Sequence, residues 1–185
     1  MGLGRVFQHA FLFPTLSVAE TIYLAHDRHV PIKNVFAPMF KIPVYSRTEK
    51  LIKESTQEII SKFNLEYFSD SLIAELSTGT KRVVELACLF ANQPDFILLD
   101  EPTSGLAQKE TEALGELILD IQEELKVSLL IIEHDIPMIS KISTRLTCLN
   151  MGQVISMGTP DQVLSDSSVI EAFLGTDEAV INRSN

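Results

Sequence analysis

Two short runs of the chain carry no polar interruption, residues 96–99 and 129–132, and each is too short for a helix. Unbroken apolar runs of this length are the pattern of strands buried on both faces of a parallel sheet. Between them, residues 108–126 set Ala113, Leu114, Leu117, Ile118, Ile121 and Leu125 on one face at helical spacing. Strand, crossover helix and strand make a right-handed βαβ unit. Upstream, residues 48–63 repeat apolar positions at helical spacing, and a second helical pattern opens at Ser77 and runs to about Asn92, with Pro94 just beyond. Downstream, residues 146–150 and 153–156 flank Met151-Gly152 and predict a hairpin, followed by short helices over 160–165 and 168–174. The tail after Gly175 is expected to fray. Pro31, Pro38 and Pro43 interrupt the apolar stretch 30–45, so that stretch is not one continuous helix.

The length of 185 residues suits one core with an appendage. With 45% hydrophobic and 22% charged residues the composition is globular, and a mean hydropathy of +0.17 hints at a covered surface. No apolar run approaches the roughly 18 residues that span a bilayer, and residues 1–7 do not read as a secretory signal. A net charge of −10 leaves little for a basic face, so nucleic acid is excluded as a partner. Cys88 and Cys148 lie far apart with no Cys-x-x-Cys spacing, as suits reduced core thiols rather than a disulfide framework or a structural zinc.

Both strands end in ionisable groups, Asp100 and Glu101 on the first, Glu133 and His134 on the second. That gathers them at the carboxyl edge of a parallel sheet, where open α/β sheets bind ligands. The densest signal is Phe96-Ile-Leu-Leu-Asp-Glu-Pro-Thr-Ser-Gly-Leu106, a strand ending in two carboxylates and a proline that stops it. Strand alternation would turn Glu101 away from Asp100. A histidine at the next strand end, in Ile131-Ile-Glu-His-Asp135, can hydrogen-bond a phosphate or a water and change partners on hydrolysis. Leu76-Ser-Thr-Gly-Thr-Lys-Arg82 opens a helix with Ser77 as N-cap, with Gly79 permitting close approach of a ligand and two basic residues near the start. Helix N-termini of this kind attract anions. Alone, each string has a plainer reading as an acidic turn, a capped loop or an ordinary helix start. Two weaker strings read as structure: Gly2-Leu-Gly4 as a turn, and His26 with His29 as a solvated polar face lacking a third metal ligand.

Together these strings resemble the ATP-binding cassette (ABC) ATPases of membrane transporters, and the resemblance covers essentially the whole chain. The eleven-residue string resembles a Walker B motif, which implies Asp100 as the Mg²⁺ ligand and Glu101 as the catalytic carboxylate. His134 corresponds to the switch histidine. Ser77 and Gly79 correspond to the signature, normally Leu-Ser-Gly-Gly-Gln, which contacts ATP held by the opposite subunit; Thr78 and Thr80 depart from it. Arg5-Val-Phe-Gln-His-Ala-Phe-Leu-Phe-Pro14 resembles the Q-loop, whose Gln8 would reach the Mg²⁺ and the catalytic water, and in this family a helix starts near Leu16-Ser-Val-Ala-Glu-Thr-Ile22. Residues 104–107 would be the D-loop, with Ala107 in place of the usual aspartate. A finer likeness, through Gly4-Arg-Val-Phe-Gln-His9, Arg82-Val-Val-Glu-Leu-Ala87, Ile132-Glu-His-Asp135 and Val169-Ile-Glu-Ala-Phe-Leu-Gly175, is to the ATPases of branched-chain or hydrophobic amino acid importers.

The resemblance implies an α/β, P-loop NTPase-like parallel core incomplete at its N-terminus and carrying an α-helical subdomain. It divides the chain into a Q-loop region (1–14), a helical subdomain with the signature (15–92), a Walker B and switch-histidine core (93–175) and a tail (176–185). It implies ATP and Mg²⁺ as ligands, transmembrane permease subunits and a second cassette as partners, and a place on the cytoplasmic face of the plasma membrane. Residues 30–45 are expected in or beside the surface that receives the permease. None of the eight glycines precedes a lysine, so the phosphate-gripping Gly-x-x-x-x-Gly-Lys-[Ser/Thr] loop is absent from these residues. An N-terminally truncated cassette is the expectation, and the alternative is a catalytically inactive fragment that serves only as an interaction partner of a complete ATPase.

Overall fold

The computed structural model describes residues 3–6, 12–26 and 43–174. They form two compact units, one through His134 and one from Asp135 onward. In the first unit, β1 (Leu3–Val6), β2 (Phe96–Asp100) and β3 (Ser128–Ile132) make a sheet in the order β1-β2-β3. Both pairings are parallel, with Val6 opposite Leu99 and Asp100 opposite Ile132. The two apolar runs are therefore neighbouring parallel strands, as their pattern predicts, and β2 is central. Its Ile97 and Leu99 are each 1% exposed. The crossover helix α4 (Gln108–Leu125) buries Leu114, Ile118 and Ile121, the face its periodicity marks.

Between β1 and β2 lie α1 (Val18–Ala25), α2 (Pro43–Lys62), two 3₁₀ turns (Glu66–Phe68, Ile73–Glu75) and α3 (Thr78–Ala91). The capping box of α1 is written in the sequence as Ser17-x-x-Glu20: Ser17 Oγ accepts from the Glu20 N–H at 3.1 Å, and Glu20 accepts from the Ser17 N–H at 2.9 Å. Helix α2 stops where Asn64 turns left-handed (φ 54°), a conformation asparagine tolerates. Its end is tied down by Phe63, edge-on to Phe90 of α3 with ring centroids 5.6 Å apart, and by an ion pair from Lys62 to Glu124 of α4. In α3, Arg82 and Glu85 form a buried ion pair at 2.8 Å.

Two weak expectations are overturned. Gly4 sits inside β1 and not in a turn: a Cβ there would lie 2.6 Å from Leu89 Cδ2 and 3.2 Å from Pro94, so the missing side chain lets the strand pack against the end of α3. His26 closes α1 and is only 7% exposed, although Leu24 beside it is open to solvent, so it is no part of a solvated face. His29, residues 30–42 and the tail after Gly175 fall outside the described residues.

The second unit contains a helix that short apolar spacing does not reveal, α5 (Ile136–Ile142), capped by Asp135 accepting from the Met138 N–H at 2.9 Å. It is followed by the antiparallel pair β4 (Leu146–Asn150) and β5 (Gln153–Gly158), then α6 (Pro160–Leu164) and α7 (Ser167–Val169), which runs into a π-turn, Ile170–Leu174. The hairpin turn has positive φ at both Met151 (47°) and Gly152 (78°), the geometry that matches strand twist in a two-residue connection. Both cysteines are free thiols. Burial, helped by the nearby Glu85 carboxylate, pushes the Cys88 thiol up to about 12.

Candidate functional site

Parallel pairing brings the ends of β2 and β3 side by side. Asp100 closes β2 as a half-buried carboxylate, with the Arg5 guanidinium of β1 3.9 Å away. The ladder continues one bond further, since the Glu101 N–H donates to Ile132 O at 2.9 Å, yet Glu101 itself is left-handed (φ 46°). Strand alternation therefore does not set where Glu101 faces. A tight turn does, closed by the Ser104 N–H donating to Glu101 O at 3.1 Å, with Pro102 fully buried beneath it. A left-handed non-glycine costs about 1–2 kcal/mol and persists only where its surroundings enforce it.

The surroundings are supplied largely by Glu133. Its carboxylate, 0% exposed, accepts from the Thr103 N–H at 2.9 Å and the Thr103 hydroxyl at 2.5 Å through Oε1, and from the His134 N–H at 3.0 Å through Oε2. The His134 ring is 71% exposed, with Nδ1 3.8 Å from the same carboxylate. Asp100, Glu101 and His134 are thus gathered at one sheet edge. Gln8 lies outside the described residues, just beyond β1, which ends beside Leu99.

Ser77 and Gly79 are on another element, the start of α3. Ser77 Oγ caps the helix by accepting from the Thr80 N–H at 3.1 Å and also pairs with the Thr80 hydroxyl at 2.9 Å, so Thr80 extends the cap. A Cβ on Gly79 would lie 2.8 Å from Glu110 Oε1, at the start of α4. Glu110 also accepts from the Ala107 N–H at 3.0 Å, half of a capping box that fixes the turn at residues 104–107. The glycine therefore has a packing reason within the chain. Gly105 in that turn takes φ 79°, which glycine adopts at little cost.

Among the described residues no three His, Cys, Asp or Glu side chains form a cage for a metal ion. One half-exposed carboxylate at a strand end instead fits Mg²⁺, which takes one or two protein carboxylates and shares its other positions with phosphate and water. The sequence sets Glu133 at this edge but assigns no role to it, to Thr103 or to Arg5. Acids that follow apolar runs are ordinarily exposed, and only the three-dimensional pairing shows that one of the two acidic strand ends is buried.

The model of the ABC transporter family matches residues 1–104, and that of the branched-chain amino acid ATP-binding cassette transporters matches residues 153–179. The high-affinity branched-chain amino acid transport ATP-binding protein BraF of Pseudomonas aeruginosa is 34% identical over 174 residues, 94% of this chain and 68% of that protein. LivG of Escherichia coli, described in the same terms, is 32% identical over 176 residues, 95% of this chain and 68% of that protein. Among solved structures, cbiO1 of Clostridium perfringens, part of an ABC transporter complex, superposes with a TM-score of 0.72 at 23% identity, over 99% of this chain and 66% of that one. The chain belongs to the ABC transporter family, as an ATP-binding cassette of the ATPase kind. It spans about two thirds of the length of these relatives. No helix among the described residues is long and apolar enough to cross a membrane.

Proposed function

We propose that the chain acts within the ATP-hydrolysing subunit of an importer for branched-chain or other hydrophobic amino acids, coupling hydrolysis to transport through permease subunits. The observation that carries the reading is the shared edge of β2 and β3, where the Glu101 N–H to Ile132 O bond brings Asp100, Glu101 and the exposed His134 ring within one neighbourhood. In this reading Asp100, with Gln8, holds Mg²⁺, which neutralises phosphate charge when bound. Glu101 polarises the attacking water, and His134 hydrogen-bonds the γ-phosphate. Ser77 and Gly79, at the start of α3, face ATP held by a second cassette, the N-terminal N–H groups of the helix meeting phosphate.

The substrate class rests on the relatives' names and on the match over residues 153–179. Residues 30–45 serve this reading as a permease-facing segment, which places the subunit on the inner face of the plasma membrane. The test is reconstitution of the complete cassette with its permeases in vesicles. Uptake of leucine, isoleucine or valine that depends on ATP is expected, and hydrolysis indifferent to every hydrophobic amino acid would sink the substrate assignment.

The absence of a Gly-Lys step favours a second reading for residues 1–185 alone, an interaction module that contacts ATP only when a complete cassette presents it. Phosphoryl transfer relies on positioning and electrostatic stabilisation, much of it supplied by the phosphate loop. Calorimetry on residues 1–185 is expected to show no MgATP binding at micromolar nucleotide. A micromolar dissociation constant with no partner present would overturn that.

A further inference from the structure

Glu133 carries no role in the chemistry above, yet no other ionisable group at the sheet edge is so enclosed. Its side chain is 0% exposed, and three donors converge on it: the Thr103 N–H, the Thr103 hydroxyl and the His134 N–H. A buried carboxylate is costly unless hydrogen-bonded, and bonds to an ionised acceptor are about twice as strong as neutral ones. The donors come from two loops. One is the turn that begins at left-handed Glu101 and closes through Ser104; the other is the backbone of His134 itself.

We propose that Glu133 is a positioning residue whose carboxylate clasps the turn after Glu101 to the backbone of His134 and so sets where both side chains face. The proposal rests on the ATPase reading of Glu101 and His134. Oε1 holds Thr103, two residues beyond Glu101, while Oε2 holds the amide of His134, so one rigid group spans both. The clasp also counters the left-handed strain at Glu101, which a free turn would relax. Because the His134 ring stays exposed, the clasp fixes its backbone and leaves the imidazole free to meet a ligand.

Glu133→Gln separates these functions, because an amide offers one acceptor and one donor, and its NH₂ must face either Thr103 or the His134 N–H. Thr103→Val removes only the hydroxyl, and Thr103→Ser keeps it. Amide hydrogen exchange on the folded chain is expected to accelerate at least about tenfold at Thr103 or His134 in Glu133→Gln, and to stay unchanged in Thr103→Ser. In the complete cassette, Glu133→Gln should lower kcat by about 10- to 100-fold, the scale of small misplacements in an active site, with KM for ATP within about twofold. Thr103→Val should lower kcat and Thr103→Ser restore it. Unchanged exchange at both amides in Glu133→Gln would overturn the clasp. So would a kcat for Thr103→Val equal to that of the wild type, an arm that serves even where Glu133→Gln does not fold. Full turnover by Glu101→Gln would instead remove the ATPase reading of that residue, while the exchange result still decides whether Glu133 holds the two loops.

Discussion

Strands β2 and β3 are each five residues long, parallel, apolar and followed by an acid, yet they invert one another. Strand β2 buries one face and presents its acids: Ile97 and Leu99 are each 1% exposed, while Asp100 and Glu101 are half open to solvent. Strand β3 does the reverse, with Leu130 and Ile132 each 53% exposed and the Glu133 side chain fully buried. The difference follows from position. Among the described residues β2 has a neighbour on either edge and β3 on one. It teaches that an acid at a strand end becomes available for chemistry or committed to structure according to what lies beside it, and that identical sequence patterns leave this open.

The sharpest test of the contrast is Glu101→Gln in a complete cassette. If β2's acids are the chemical ones, turnover should fall about 10²- to 10⁴-fold, the range general base catalysis supplies, while ATP still binds and holds two cassettes together. Turnover at the wild-type rate would break the contrast at its functional end. Next in size is the strand itself. Leu99→Ala should cost about 2–5 kcal/mol in chemical denaturation, because a buried leucine leaves a cavity. Equal losses from Leu99→Ala and Leu130→Ala would erase the difference between the strands.

The covered side of the first unit has a titration signature of its own. Cys88 keeps its proton in the folded state until about pH 12 against an ordinary 9.0. Between those values the unfolded chain releases a proton that the folded chain retains, so stability falls as pH rises, by up to about 1.4 kcal/mol per unit, and is unaffected by this group below pH 9. Denaturation midpoints for wild type and Cys88→Ala should diverge only in that alkaline window; parallel curves would show that Cys88 is open to water. The smallest expected effect is on the open face of β3, where Leu130→Thr should change stability by no more than about 0.5 kcal/mol. A loss above about 2 kcal/mol would mean that this face is covered in solution.

Much of this arrangement is legible in the sequence because it is local. The Ser17 and Ser77 caps, the one-sided period of α4, the Met151-Gly152 turn and the two apolar runs each announce themselves within a dozen residues. The family likeness adds the expectation that Asp100, Glu101 and His134 act together. What stayed hidden depends on distant neighbours. The strand role of Gly4 exists because Leu89 and Pro94 lie against it, and nothing in the residues around His26 announces its burial. Helix α5 is too short for a period to register, although Asp135 and Pro137 mark its start. The left-handed turn at Glu101 needs Ile132 and Glu133 to enforce it, some thirty residues downstream.

The register of the sheet also dictates an order of assembly. Phe96 meets Ser128 through one crossover helix, whereas it meets Leu3 only after the chain has closed a loop roughly three times longer. The longer closure costs about 1 kcal/mol more in chain entropy. Gly4 must also settle against Leu89 and Pro94, so β1 has no seat until α3 and β2 are in place. Strand β1 is therefore expected to join last, and pulse-labelled exchange should find its amides protected after those of β2 and β3. Damage there registers in how long the folded state survives and hardly in how fast it forms, since contacts made after the rate-limiting step act on unfolding alone. Lifetime, rather than the speed of folding, is the property that a single glycine in a four-residue strand controls.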